Sequence, residues 1–302
     1  MRLVTRSDFD GLVCGMLLKE EGMIDDVQFV HPKDLQDGTF KAEPRDVLCN
    51  VPYVSGCGMW FDHHTSELER VGWDQSVKGL SKKAPSCAGI VYEFYGGEAK
   101  YPKFKELIQA VDKVDSGQLS QEDIRNPQGW VLIGFLLDPR TGLGRFHDFR
   151  ISNYSLMMNF IDHFRTLTLE EIFAHPDVKE RIDLYWQQTE LFVEMLKTHT
   201  KIDANVIITD LRNVETIYTS NRFTIYGVFP EQNVSLWITD GKKGQNVMVA
   251  CGYSILNRTC TADVGALMLQ YGGGGHKQVG TCQIPFEDAD KIIAEIVAGL
   301  KQ

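Results

Sequence analysis

Short apolar segments alternate with helical segments through the first third of the chain. Apolar strands are predicted at residues 1–6, 27–31, 46–53 and 58–64, and amphipathic or apolar helices separate or follow them. Strands in such an alternation pair in parallel, because each helix returns the chain to the start of the next strand. The sequence therefore predicts an α/β fold with a mostly parallel sheet, whose ligands bind at the carboxyl ends of the strands.

The rest of the chain predicts a long helix followed by a second sheet. Residues 178–199 carry apolar side chains at helical spacing. Further strands are predicted at 204–212, 222–229, 234–240 and 246–255, and helices near 262–271 and 288–300. We expect a first domain over residues 1–175, a connector helix over 176–203 and a smaller α/β domain over 204–302, with a cleft between the two domains.

Composition excludes several classes of protein. The 302 residues are 43% hydrophobic and 24% charged, values typical of globular proteins rather than disordered ones. Apolar runs fall short of the ~20 residues that cross a bilayer, and the N-terminal residues lack a signal-peptide pattern, so we expect a cytoplasmic protein. A net charge of −10 disfavours long nucleic acid, and seven scattered cysteines do not form a disulfide or zinc pattern. The predicted partner is a small phosphorylated molecule.

Two acidic or histidine motifs follow predicted strands. Asp8 and Asp10 flank the turn before the first helix, where Gly11 allows a close backbone approach, and Asp62, His63 and His64 end the strand at 58–64. Carboxylates and imidazoles from neighbouring strand ends suit a divalent ion such as Mn²⁺ or Mg²⁺. Taken singly, the first motif also fits a helix N-cap and the second fits ordinary loop histidines.

A run of four glycines precedes a histidine in the second half of the chain. The run spans residues 272–275 and is followed by His276. Glycines expose backbone N–H groups that a phosphate can approach, although such runs also occur as hairpins or linkers. The Lys82–Lys83 and Lys242–Lys243 pairs are weaker candidates, because exposed lysine pairs are usually solvated.

The order of these motifs resembles the DHH phosphoesterase family with its C-terminal DHHA1 domain. The motifs are DFDG, NVP at Asn50, DHH, VDKVDSG and GGGGH, and they extend from the N-terminus to nearly the end of the chain. The resemblance is strongest to exopolyphosphatase-related and oligonucleotide-degrading members. It implies a parallel-sheet domain that holds one or two Mn²⁺ or Mg²⁺ ions, and a glycine-rich domain that binds the substrate phosphate. It also implies a homodimer.

The resemblance implies a role for individual residues. Asp8 would face a first metal, whereas Asp10, His63 and Asp112 would face a second. Asp115 is the alternative to Asp112. The remaining implied site residues are Asp62 and His64 as assisting catalytic groups, Asn50 at the bridging position, and Arg258, Gly273, Gly274, Gly275 and His276 as phosphate-binding groups.

Two departures from the family pattern bear on activity. Many members carry a histidine before the first motif, but Val4, Thr5 and Arg6 stand here, and Asn50 replaces a bridging aspartate. A neutral amide oxygen holds a metal less well than a carboxylate. Arg6 brings a positive charge to the place of one ion.

Two functions remain open from the sequence. The first is metal-dependent hydrolysis of a phosphoanhydride or phosphodiester bond in polyphosphate, pyrophosphate, a short oligonucleotide or a cyclic dinucleotide. The second is a nucleotide- or polyphosphate-binding protein whose degraded metal site has lost efficient catalysis. The number of bound ions distinguishes them, since two-metal hydrolysis requires both. A single-metal enzyme, in which Arg6 replaces the charge of one ion, lies between these two functions.

Overall fold

The computed structural model describes residues 1–64, 73–74, 76–241 and 244–301. Lys242 and Lys243, considered above as anion-binding candidates, lie outside the described residues. The chain forms two compact units. The first contains Met1–Gln118 and Gln128–Leu184, and the second contains Leu119–Pro127 and Tyr185–Gln302. The short segment Leu119–Pro127 thus belongs to the second unit, although it lies within the sequence of the first.

A five-stranded sheet forms the centre of the first unit. The strands are β1 (Arg2–Thr5), β2 (Asp26–Phe29), β3 (Asp46–Cys49), β4 (Met59–Asp62) and β5 (Lys78–Ser81). Their order in the sheet is β2-β1-β3-β4-β5, and every neighbouring pair is parallel. The central strands β3 and β4 are buried along their whole length, as expected for a parallel sheet covered on both faces. The predicted parallel α/β fold is confirmed.

Helices of the first unit pack on this sheet. The first helix is apolar on all sides, and ten of its twelve residues are buried, which marks it as a core helix rather than an amphipathic surface helix. In the described part of this unit, three short 3₁₀ helices lie at Pro102–Phe104, Pro139–Thr141 and Leu143–Arg145. The α-helices are α1 (Phe9–Glu20), α2 (Pro32–Gln36), α3 (Cys87–Phe94), α4 (Gly97–Lys100), α5 (Lys105–Asp115), α7 (Gly129–Leu137), α8 (Asn153–Thr166) and α9 (Leu169–Ala174), with α6 (Gln121–Arg125) in the second unit.

The second unit contains a six-stranded mixed sheet of order β10-β11-β9-β8-β7-β6. The β7–β8 pair is parallel and the other pairs are antiparallel. Its core consists of inward-facing strand residues and the apolar faces of two helices. The elements are β6 (Thr200–Asp203), β7 (Val206–Asp210), α11 (Thr224–Val228), β8 (Val234–Asp240), β9 (Val247–Tyr253), α12 (Val264–Leu269), β10 (Gly274–His276), β11 (Val279–Ile284) and α13 (Ala289–Leu300). The long helix α10 (Pro176–His199) precedes them.

One predicted strand is wrong. Residues 222–229 have strand-like composition, but the structure forms helix α11 there. Asn221 stabilises the turn before this helix by accepting a hydrogen bond from the backbone N–H of Phe223 at 3.1 Å. Gly227 lies so close to Ile124 that an added Cβ would meet that side chain at 2.9 Å. Tertiary packing therefore overrides the strand propensity of these residues.

All seven cysteines are buried and free. Among the described residues, the helices are too short or too polar to span a membrane.

Candidate active site

Polar side chains meet at the carboxyl edge of the first sheet. Asp8 follows β1, Asn50 follows β3 and His63 follows β4, and these three strands are neighbours. Gly11 makes the first turn possible, because an added Cβ would lie 2.2 Å from the carbonyl oxygen of Arg6. Convergence of these motifs follows from the parallel strand order.

Asp10 is held in place at the start of helix α3. Its two carboxylate oxygens accept hydrogen bonds from the backbone N–H groups of Cys87, at 3.0 Å, and Ala88, at 2.7 Å. The side chain is only 1% exposed. Burial raises the pKa of Asp10 well above its ordinary value, and the negative charges of Asp115 and Asp8 raise it further. The protein thus holds a carboxylate in an environment that favours a nearby cation.

His63 directs one ring nitrogen toward two carboxylates. Its Nδ1 lies 3.2 Å from the carbonyl oxygen of Ala84. Since a carbonyl only accepts, Nδ1 carries the proton in the neutral ring, and Nε2 presents its lone pair. That Nε2 is buried without a hydrogen-bond partner, 3.3 Å from Asp115 Oδ2 and 3.8 Å from Asp10 Oδ2. A lone pair facing two carboxylates is repulsive unless a cation or proton lies between them.

The second carboxylate beside His63 is that of Asp115. The ligand atoms of Asp10, His63 and Asp115 all lie within 4.8 Å of one another. Asp112, which the resemblance favoured, instead accepts a 2.5 Å hydrogen bond from Ser86 Oγ. That hydroxyl also accepts from Gly89 N at 2.9 Å as the N-cap of α3. Asp112 therefore supports the start of α3 in this structure.

Asp8 makes several contacts within the protein. Its Oδ1 accepts from Gly11 N at 3.0 Å, as a helix N-cap, and from Asn50 Nδ2 at 3.2 Å. Its Oδ2 forms a 3.0 Å ion pair with Arg6 Nε. Asn50 adopts a left-handed backbone conformation, with φ of 56°, and its buried Oδ1 has no hydrogen-bond partner. Arg6 and Asn50 thus surround Asp8 with positive charge and a donor.

His64 is oriented by the buried carboxylate of Asp62. The His64 Nδ1 lies 2.9 Å from Asp62 Oδ1, and Asp62 is fully buried. Burial lowers the pKa of His64, but the hydrogen bond and negative charge of Asp62 outweigh that effect and raise its pKa above the ordinary value. The imidazole is 42% exposed, so its Nε2 can reach a ligand in its protonated form.

The glycine run of the second unit forms part of a strand. Residues Gly274–His276 pair with β11 as an edge strand, and His276 is exposed. An added Cβ on Gly273 would lie 2.0 Å from Thr281 O, and one on Gly275 would lie 2.1 Å from Val279 O. These two glycines are required by close backbone packing, whereas Gly274 has open space beside it. Arg258 is exposed on a separate loop, where its Nε donates to Ile255 O at 2.9 Å.

The groups that position Asp10, His63 and Asp115 were not predicted from the sequence. They are the Ala84 carbonyl, the Ser86 N-cap and the first backbone N–H groups of α3. Ser86 immediately before an apolar run was a readable N-cap signal, whereas a backbone contact across 78 positions, such as that from Ala88 to Asp10, has no local signature.

Comparisons with known proteins identify the family of this chain. No protein-family model and no curated protein matches the chain. A solved structure of the pGpG-specific phosphodiesterase PggH from Vibrio cholerae is 46% identical, with a TM-score of 0.90, over 99% of this chain and 98% of that chain. This chain belongs to the DHH family of phosphoesterases.

Two more distant structures share the DHH fold with this family member. A DHH domain described as belonging to a family of ribosomal proteins has a TM-score of 0.57 at 13% identity, over 100% of this chain and 87% of that one. CDC45 from Entamoeba histolytica has a TM-score of 0.51 at 8% identity, over 99% of this chain and 95% of that one. These two structures show the fold alone, whereas the 46% identity to PggH confirms the predicted family and enzyme class, a DHH-type phosphohydrolase.

Proposed function

We propose that this protein hydrolyses the phosphodiester bond of a short linear dinucleotide of the pGpG type. The observation that carries the proposal is the 46% identity to a pGpG-specific phosphodiesterase over 99% of the chain. Water would add to phosphorus and the bond to the leaving ribose oxygen would break, which gives two molecules of GMP from pGpG. The net charge of −10 agrees with a small substrate rather than a long polyanion.

The residues present fit a divalent metal cofactor, Mn²⁺ or Mg²⁺. Two buried acceptors, His63 Nε2 and Asn50 Oδ1, have no hydrogen-bond partner. The first faces the carboxylates of Asp10 and Asp115. Oxygen and imidazole donors are the ligands these ions use. Asp10, His63 and Asp115 would hold the ion. When bound, it would supply Lewis acidity, which activates water and offsets the charge on the phosphoryl group.

The protein's own groups would orient and protonate the substrate. His64, protonated and held by Asp62, would donate its Nε2 proton to the leaving ribose oxygen. Asp62 would stabilise the charged imidazole before that transfer, and its burial keeps the hydrogen bond strong. The predicted phosphate-binding groups lie in the second unit. They remain His276, Arg258 and the backbone at Gly273, Gly274 and Gly275.

The contacts of Arg6 and Asn50 with Asp8 favour a site for one metal ion rather than two. Asp8 would be a ligand of a first metal in the family pattern, but both of its oxygens already have partners. The Arg6 guanidinium supplies positive charge beside Asp8 without an ion. We therefore propose the Asp10 cluster as the principal metal site and Arg6 as a fixed charge next to it.

Turnover of defined substrates tests the proposal. The full-length protein would be incubated with Mn²⁺ and pGpG, pyrophosphate, short polyphosphate or cyclic diguanylate, and products would be separated by chromatography. We expect pGpG to give GMP, and the variant His63→Gln to lose this activity while keeping its fold. His147→Gln, at an exposed histidine, is the matched control and should retain activity.

The contacts of Asp8 also favour a second candidate function, a nucleotide-binding protein with weak catalysis. Arg6 and Asn50 contact the two carboxylate oxygens of Asp8 that a second ion would need as ligands. Two-metal hydrolysis requires both ions. In the same experiment, saturable pGpG binding without any GMP formation would contradict the hydrolase and support the nucleotide-binding protein.

The cytoplasmic location and the homodimer remain predictions.

A further inference from the structure

Two adjoining cavities lie beside the candidate active site in the first unit. One has a volume of about 270 Å³ and a mainly apolar lining, and the other has a volume of about 540 Å³ and is more open. Both are lined by Ser7, Phe29 and Pro139, so they form one continuous depression. We call it the β2 groove, because Phe29 is the last residue of β2.

The β2 groove lies along the same sheet edge as the cluster of Asp10, His63 and Asp115. Ser7 is the residue between Arg6 and Asp8, and the strand order places β2 next to β1 and three positions from β4, which precedes His63. Neighbouring strands are about 4.8 Å apart, so the ends of β2 and β4 are separated by roughly 14 Å. A nucleotide can bridge that separation with its sugar and base when its phosphate is at the cluster.

An exposed aromatic ring stands in the wall of this groove. Tyr154, near the start of α8, is 59% exposed, which is a large exposed fraction for an aromatic side chain. It contacts Phe29 edge to face, with ring centroids 5.7 Å apart and planes inclined at 78°. Such a contact leaves at least one face of the tyrosine ring open. A flat aromatic ligand can stack on that face.

The groove also contains an amide group in a defined orientation. Asn153 lines the smaller cavity, and its Oδ1 accepts from Arg181 Nε and Nη2, both at 3.2 Å. Arginine only donates, so this oxygen, rather than the amide nitrogen, faces Arg181. The Asn153 NH₂ group is then the one left to donate to a ligand. Aromatic rings, an amide donor and the Ser7 hydroxyl together suit the edge and face of a nucleobase.

We propose that the β2 groove is a nucleobase subsite, in which one base of the dinucleotide substrate stacks on Tyr154 and accepts a hydrogen bond from Asn153. This inference rests on the proposed dinucleotide substrate and deepens it. Polyphosphate and pyrophosphate have no base and gain nothing from the groove, so the subsite selects nucleotides over other phosphorylated compounds.

Kinetics with abasic dinucleotides test the subsite. The variants Tyr154→Ala and Tyr154→Phe would be compared with the wild-type protein on pGpG and on two analogues that lack either the first or the second guanine. Base stacking on an aromatic ring is worth roughly a 10- to 100-fold change in binding. We expect Tyr154→Ala to raise the KM for pGpG by about that factor with kcat changed little, and Tyr154→Phe to behave like wild type. Phe94→Ala is the matched control, because Phe94 is also exposed but ends α3, away from the helix end that binds Asp10.

The analogues give the decisive comparison. One of them should have the same KM with wild-type and Tyr154→Ala protein, since its missing guanine is the one that would occupy the groove. An unchanged KM for pGpG in Tyr154→Ala, or an equal loss with both analogues, would overturn the subsite. Calorimetric titration with GMP keeps the two proposals distinguishable. GMP binding that depends on Tyr154 in a protein without pGpG turnover would retain the subsite and reject the hydrolase.

Discussion

Replacing Asp115 by Asn should weaken metal binding and at the same time stabilise the metal-free protein. In the absence of a cation, the carboxylates of Asp115 and Asp10 lie within 4.8 Å of each other, and the charge of Asp115 raises the pKa of Asp10. Two full charges at that separation repel by roughly 3 kcal/mol at an effective dielectric of about 20. Because the raised pKa of Asp10 favours its uncharged acid form, which removes part of this repulsion, we expect a smaller gain of about 1–2 kcal/mol in the free energy of unfolding.

Addition of Mn²⁺ should make the wild-type protein more stable than the Asp115→Asn variant. At a concentration of 100 Kd, a bound ion adds about 2.7 kcal/mol to the free energy of unfolding of the wild-type protein. Loss of the charged Asp115 ligand should raise Kd by about 100-fold or more, since even residues that only orient a ligand contribute 10- to 100-fold. The same Mn²⁺ concentration would then add only about 0.4 kcal/mol to the variant.

Urea unfolding with EDTA and with Mn²⁺ measures both effects. The matched control is Asp112→Asn, which weakens the hydrogen bond from Ser86 and should lower the free energy of unfolding by about 1 kcal/mol. It should keep the full stabilisation by Mn²⁺. If Asp112→Asn loses that stabilisation and Asp115→Asn keeps it, the assignment of Asp115 to the metal site is refuted.

Three further substitutions test other parts of the structure. His64→Gln should lower kcat by about 10²- to 10⁴-fold as a lost general acid, with Mn²⁺ stabilisation unchanged in calorimetry; an unchanged kcat would exclude His64 from proton transfer. Asn50→Asp places a second carboxylate 3.2 Å from Asp8, so it should destabilise the metal-free protein and raise the number of bound Mn²⁺ ions measured by atomic absorption; an unchanged ion count would contradict this. Gly265→Ala should lower the free energy of unfolding by about 1–3 kcal/mol, because its Cβ would lie 2.9 Å from the backbone of Gly275; equal urea midpoints would refute that packing argument.

The sequence was sufficient to predict the sheet edge that carries the site. Asp8, Asn50 and His63 each follow an apolar strand, and parallel pairing brings such strand ends to one edge whatever the details of packing. Gly11 was likewise predictable, because a helix that starts directly after a strand requires a close backbone approach. These features depend on residues that are near each other in the chain.

The choice between Asp112 and Asp115 was beyond sequence pattern. The two residues are three positions apart on α5 and so lie on the same helix face. Ser86, 26 residues away from Asp112, donates a hydrogen bond to the Asp112 carboxylate. Asp115 is the carboxylate that lies beside His63. Helix α11 was mispredicted for a similar reason, since its close contact at Gly227 comes from Ile124 in a distant segment.

The discontinuous second unit has a consequence for protein synthesis. Its segment Leu119–Pro127 is made early, but the buried Ile124 carbonyl accepts its hydrogen bond from Asn221, 97 residues later. At about 5–20 residues per second, the ribosome needs on the order of 5–20 s to produce that partner. Over this interval, the Ile124 side chain lacks its native contact with Gly227. A pause in translation between these two positions would therefore lengthen the time during which the nascent chain can misassociate.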